Sequence, residues 1–158
     1  MIKGFLYAAL NNYAEAEKYY LIAVEKGSAG AMYSVGFLYE DVKKDIAGAE
    51  KYYKMAIERD YADAMMNLAS LYYKTNRACN KETALELSGK GIESKQSIAS
   101  LNIYIKILLW NEKIKEATVL MMKILNGELH TEENMNSISY GLQYFLVFRQ
   151  KQFLFKTF

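Results

Sequence analysis

The same five residues occur twice in this chain, 33 positions apart: AEKYY at Ala16–Tyr20 and again at Ala49–Tyr53. A longer match keeps the same offset, AMYSVGFLY at Ala31–Tyr39 against AMMNLASLY at Ala64–Tyr72. Self-similarity at a period of roughly 30 to 45 residues marks a solenoid, in which one unit cannot bury its own apolar face and stacks on its neighbours to do so. The repetition points toward a binding module and away from an enzyme, and it leaves the ligand open.

The period is filled by helices. Proline is absent from all 158 residues, against a usual share of about 5%, so glycine and short polar clusters must punctuate the chain. In the second unit Met32, Val35, Gly36 and Tyr39 fall on one helical face, and Met65, Leu68, Ala69 and Tyr72 repeat it. A second helix follows in each unit, carrying Ala49, Tyr53, Ala56 and Ile57, with Ala16, Tyr20, Ala23 and Val24 as its counterparts in the preceding unit. Small–aromatic–small–branched order suits antiparallel helices that interlock along a narrow seam.

Toward the C-terminus the pattern degrades. A two-residue insertion in the loop around Asn76–Lys81 moves the offset to 35, placing Ala84, Ser88, Gly91 and Ile92, then Ala117, Met121, Ile124 and Leu125, on second helices. First-helix positions fall to Ser100, Ile103, Tyr104 and Ile107, then Ser137, Tyr140, Gly141 and Tyr144. Gly27, Asp60 and Gly127 close second helices in left-handed caps. Asp45 and Asn80 open them, with Thr131 and Asn134 a weaker start. The reading is nine helices near 2–10, 13–26, 30–42, 46–59, 62–75, 81–93, 96–110, 113–126 and 131–148. A repeat array thus runs over 1–148, and an aromatic–basic tail over 149–158.

These residues resemble the tetratricopeptide repeat family, in the variant close to the Sel-like repeats. The resemblance rests on Val35–Gly36–x–x–Tyr39 in a first helix and on Ala16–Tyr19–Tyr20 and Ala49–Tyr52–Tyr53 in second helices. The chain departs from the family in lacking the proline after the second helix, in its shorter inter-helix loop, and in lacking the paired cysteines of some secreted members. The resemblance implies an all-α, right-handed superhelix of about four to five antiparallel helix pairs, with first helices lining a concave groove. It implies binding of a peptide or partner protein, without catalysis or cofactor.

On that geometry the inward positions of the first helices are Tyr33, Phe37 and Glu40, then Met66, Ser70, Tyr73 and Lys74. An aromatic and methionine-lined surface with sparse charge suits an apolar or amphipathic peptide. The bland reading is packing between repeats, and it is preferred for Leu101, Ile105 and Leu108 on the next helix. Carboxylate capture needs a cluster of donors, and only Asn67 and Lys74 come near. Glu15, Glu17, Lys18, Glu50 and Lys51 read as a solvated convex face.

Other chemistry is thin. His130, the single histidine, sits in an acidic turn; Cys79 has no relay partner; SGKG at Ser88–Gly91 lacks the spacing of a phosphate loop, and Gly91 occupies a place that demands a small side chain. One cysteine excludes an internal disulfide framework and fits a reducing compartment. No run approaches the roughly 18 apolar residues of a membrane span, and a net charge of +2 is too small for a nucleic-acid footprint. The sequence therefore reads as a cytoplasmic protein with no nucleic-acid, membrane, metal or cofactor partner. Its ends are exceptions to a polar surface. Projecting the period backwards truncates the first helix and exposes an apolar edge near Phe5, Leu6 and Tyr7. The tail interleaves Phe148, Phe153, Phe155 and Phe158 with Arg149, Lys151 and Lys156. The alternative function is a structural module that self-associates through these ends, or a fragment of a larger repeat protein, with the groove or the ends filled by the chain itself, as by its own tail.

Overall fold

The computed structural model describes residues 1–94 and 97–125. Among the described residues the regular structure is helical, without a strand: α1 Ile2–Ala9, α2 Tyr13–Glu25, α3 Ala29–Leu38, α4 Ile46–Ile57, α5 Ala62–Lys74, α6 Lys81–Ser94, α7 Ile98–Trp110 and α8 Ile114–Leu125, with short π and 3-10 turns between. These match eight of the nine helices read from the sequence. The ninth, at 131–148, lies outside the described residues, as do Gly127, His130, Thr131, Asn134 and the tail. Each helix packs against the next along the chain, and α5 also touches α7. No helix among the described residues is long and apolar enough to cross a membrane.

Caps set the boundaries. The Asp45 carboxylate accepts from Gly48 N at 3.0 Å and starts α4, as its residue type predicts. Asn12, Ser28 and Ser97 do the same for α2, α3 and α7, accepting from Glu15 N, Ala31 N and Ser100 N. Gly27 (φ 78°) and Asp60 (φ 58°) end second helices in the left-handed region, where glycine avoids the Cβ clash and aspartate tolerates it.

The hairpins lock by matching large residues to small ones. A Cβ on Gly36 would lie 2.6 Å from Cδ1 of Tyr53, and one on Gly4 would lie 2.6 Å from Cδ1 of Tyr20. Tyr53 is fully buried and Tyr20 nearly so; each ring lies where the facing helix has no side chain. Gly91 serves α5 similarly, since a Cβ there would meet the Met66 sulfur at 2.6 Å. Packing therefore accounts for this part of SGKG, and the buried Ser88 hydroxyl donates to Ala84 O within its own helix.

The two-residue shift after Asn76 resolves into two separate changes. Gly4–Tyr7 and Gly36–Tyr39 read GFLY at an offset of 32, whereas α2 and α4 are 33 apart. The extra residue is absorbed by a π-helical turn at Tyr39–Lys43, ended by Lys44 at φ 55°, as a one-residue helix insertion generally is. The following unit lacks that residue, and the left-handed turn comes at Asn76 (φ 48°). It gains instead a three-residue 3-10 turn, Ala78–Asn80, before α6.

The register of α7 corrects the sequence reading by one residue. The caps Tyr61 and Ser97, and the left-handed residues Asn76 and Glu112, are 36 apart rather than 35. Ala69 and Tyr72 therefore correspond to Ile105 and Leu108, not to Tyr104 and Ile107. Burial agrees: Leu101, Ile105 and Leu108 are 1%, 4% and 2% exposed, while Ile103 and Tyr104 are only half-buried. Ile107 is buried as well, because α7 is apolar on most of its circumference and its periodicity alone fixes no register.

Candidate functional site

The residues between units are arranged by a repeated polar clasp. The Tyr39 hydroxyl donates to Glu17 at 2.9 Å, and Lys43 pairs with the same carboxylate at 2.6 Å. One period on, the Tyr72 hydroxyl donates to Glu50 at 2.9 Å, with Lys54 at 2.7 Å and Arg77 at 3.1 Å. Glu17 and Glu50 are each 19% exposed. They bind the preceding unit's second helix to the next unit's first helix and are not part of a solvated face, which corrects the sequence reading. In the following unit the corresponding residues are Leu85 and Leu108, packed in one apolar cluster. The clasp is there replaced by hydrophobic contact, so the AEKYY signature fades although the packing continues.

The clasp makes a pH prediction. Burial works against the Glu50 charge, but hydrogen bonds from Lys54 and Tyr72 and the charges of Lys54 and Arg77 outweigh it, holding the carboxyl below its usual value. A group whose folded pKa is depressed contributes stability that is whole above the unfolded pKa and drains away as pH falls toward the folded one. Urea midpoints should fall on acidification below about pH 5, and Glu50→Gln should remove about 1 kcal/mol at pH 7 and flatten that acid limb. An unchanged pH profile in the variant would refute this role for the clasp.

A second set of links joins α3 to α5. Asn67 Nδ2 donates to the Tyr33 hydroxyl at 3.2 Å and to the Tyr53 hydroxyl at 3.4 Å. Glu40 accepts from the Tyr53 hydroxyl at 2.8 Å and from Lys74 at 2.8 Å. Burial, foremost, and the Glu40 charge raise the Tyr53 pKa far above that of an ordinary phenol, keeping its hydroxyl a donor. Farther along, Tyr73 meets Trp110 edge-on at 5.8 Å between centroids, and Trp110 Nε1 donates to Asn76 at 3.2 Å.

Two hollows flank Tyr33. The larger, about 400 Å³, opens between α1, α2 and α3. Its walls include Phe5, Tyr13, Tyr33, Phe37 and Val42, with Asp41 as the one charged residue of its lining. Phe5 and Phe37 are 50% and 49% exposed, so apolar surface that the fold leaves uncovered is gathered at this opening. The smaller, about 230 Å³, lies between α5 and α7 and is lined by Tyr33, Asp63, Met66, Asn67, Ser100 and Ile103 among others.

The seven groove positions read from the sequence divide accordingly. Tyr33 and Phe37 border the larger hollow, and Tyr33 and Met66 the smaller. Met66 is 7% exposed and lies mainly beneath Gly91. Glu40, Lys74 and Tyr73 join successive first helices rather than lining either hollow, and Ser70 is half-buried on α5. The sequence reading named Phe5 only as part of an exposed apolar edge and did not place it, Tyr13, Asp41 or Val42 at this opening. The repeated GFLY was the signal for Phe5, since it aligns this residue with Phe37; the π turn at Tyr39–Lys43, which carries Asp41 and Val42, had no motif. Cys79 is exposed in the 3-10 turn, and no group of three metal-ligating side chains occurs among the described residues. No protein-family model matches the chain, and no curated protein matches it.

Proposed function

We propose that the chain is a non-enzymatic helical-repeat module of the tetratricopeptide and Sel-like kind. In this reading it is an α-solenoid whose first helices hold an apolar or amphipathic segment of a partner protein. The observation that carries it is the open hollow beside α3, where half-exposed Phe37 and Phe5 face a space of about 400 Å³, within the range of ligand-sized pockets. Stacking of unit on unit is supported by links at a 34-residue separation: Tyr33 to Asn67, Glu40 to Lys74 and Asn76 to Trp110. A binding role is favoured over a catalytic one because Glu40, Tyr53, Asn67 and Lys74 use their polar atoms on one another.

Panning a random-peptide display library on the purified chain tests the reading. Enriched peptides should share closely spaced bulky apolar residues, and Phe37→Asp should weaken their binding by at least about tenfold, the loss expected of one buried aromatic anchor. Helical circular dichroism should be unchanged. Peptides that bind the variant equally well would count against the groove.

Self-association through the α1 end is a second reading, favoured by Ile2, Leu6 and Leu10 at 86%, 58% and 67% exposure. Light scattering across a dilution series checks it, with a concentration-independent monomer mass as the contrary result.

A further inference from the structure

We infer that the segment held in the α1–α3 hollow is this chain's own C-terminal stretch, residues 148–158. The inference rests on the groove reading above and names its occupant. The hollow calls for aromatic or aliphatic side chains with a cation nearby: its walls are Phe5, Tyr13, Tyr33 and Phe37, and the charge at its rim is Asp41. Among the described residues Asp41 pairs with Lys44 at 3.5 Å, with both side chains more than 60% exposed, and a surface pair of that kind is readily exchanged. Residues 148–158 offer four phenylalanines interleaved with three basic residues, which supply rings for the walls and cations for Asp41 and the tyrosine faces.

The chain is long enough. The described fold ends at Leu125 on α8, and even with 131–148 helical, as the sequence reads, the stretch from there to Phe148 reaches about 40 Å. Three helix-pair steps at about 10 Å each require roughly 30 Å. Tethering also makes a weak contact sufficient. A linked segment acts at an effective concentration on the order of millimolar, so an intrinsic dissociation constant of about 0.1 mM keeps the hollow about nine-tenths occupied. A competitor then binds about tenfold more weakly than it would to the open groove.

The test uses the full chain with a photo-crosslinking p-benzoylphenylalanine in place of Phe37. Irradiation should join position 37 to residues 148–158. A product of single-chain mass supports the inference, whereas one of double mass assigns the hollow to another copy and overturns it. Phe153→Asp with Phe155→Asp, in the full chain, should abolish the crosslink. The same pair should raise affinity for a fluorescein-labelled peptide of residues 145–158 about tenfold, because the hollow is freed. A crosslink that maps elsewhere, or equal affinity with and without the tail substitutions, would overturn the inference. In either of those results the groove reading is judged separately, by whether display-selected peptides still respond to Phe37→Asp.

Discussion

Tyr53→Ala is expected to cost about 3–5 kcal/mol, the range for removing a large buried aromatic, and Tyr53→Phe only about 1 kcal/mol. Tyr53 is fully buried, and its ring fills the space left by Gly36. Truncation would leave a cavity at the α3–α4 seam that the Gly36 backbone cannot fill. It would also strip Glu40 of the Tyr53 hydroxyl, which donates to it at 2.8 Å. Phenylalanine keeps the ring and removes only the hydroxyl; Glu40 then retains Lys74, and Asn67 retains the Tyr33 hydroxyl. At roughly 2–4 °C per kcal/mol for a chain of this size, the alanine variant should melt about 10 °C lower and the phenylalanine variant only a few degrees lower. Thermal melts followed by circular dichroism check both. Equal melting of the two variants would show that the ring does not hold the seam.

Residues that pack within a hairpin were legible because their pattern is strict. Small residues at Ala16, Ala49, Ala84 and Ala117 and aromatics at Tyr20 and Tyr53 recur at helical spacing, and all are buried. Residues between hairpins were harder to place. Glu17 and Glu50 look like surface charges on any helical wheel, because nothing local to AEKYY reveals a tyrosine arriving from the next unit's first helix. Nor does a fixed period survive the loss of the extra π-turn residue followed by the gain of a three-residue 3-10 turn: the two changes partly offset each other, which disguised them as a single small insertion. On α7 the apolar residues surround the helix, so its register was set by Ser97 and Glu112 at its ends and not by its faces. Two residues that border the larger hollow, Tyr33 and Phe37, could be singled out from the sequence because they lie on α3 beside its repeated face. Phe5 and Tyr13 could not be placed there, since those residues belong to the preceding unit and reach the hollow only through the packing of α1 on α2 and of α2 on α3.

Gly36→Ala and Gly89→Ala add the same methyl group to two helices and should change stability in opposite directions. In a helix interior alanine is favoured over glycine by about 0.5–1 kcal/mol, and at Gly89 nothing lies within 4 Å of the added Cβ. Gly89→Ala should therefore stabilise by that amount. At Gly36 the same intrinsic gain meets Tyr53 Cδ1 at 2.6 Å and Cε1 at 2.7 Å. The ring cannot swing aside, because its face is enclosed and its hydroxyl is tied to Glu40 and Asn67. Either the helices separate or the ring leaves its rotamer, and overpacking of this kind costs about 1–3 kcal/mol. The net expectation is a loss of about 1–2 kcal/mol for Gly36→Ala, read as a lower urea midpoint at unchanged slope. Combining Gly36→Ala with Tyr53→Leu separates collision from helix propensity. If the clash is the cause, the alanine penalty shrinks or reverses once the ring is gone, giving a coupling energy of the order found for residues in contact. A penalty at Gly36 that persists without the ring would mean that glycine is required there for its backbone, and the matching of Gly4 to Tyr20 and Gly36 to Tyr53 would no longer explain how these hairpins close.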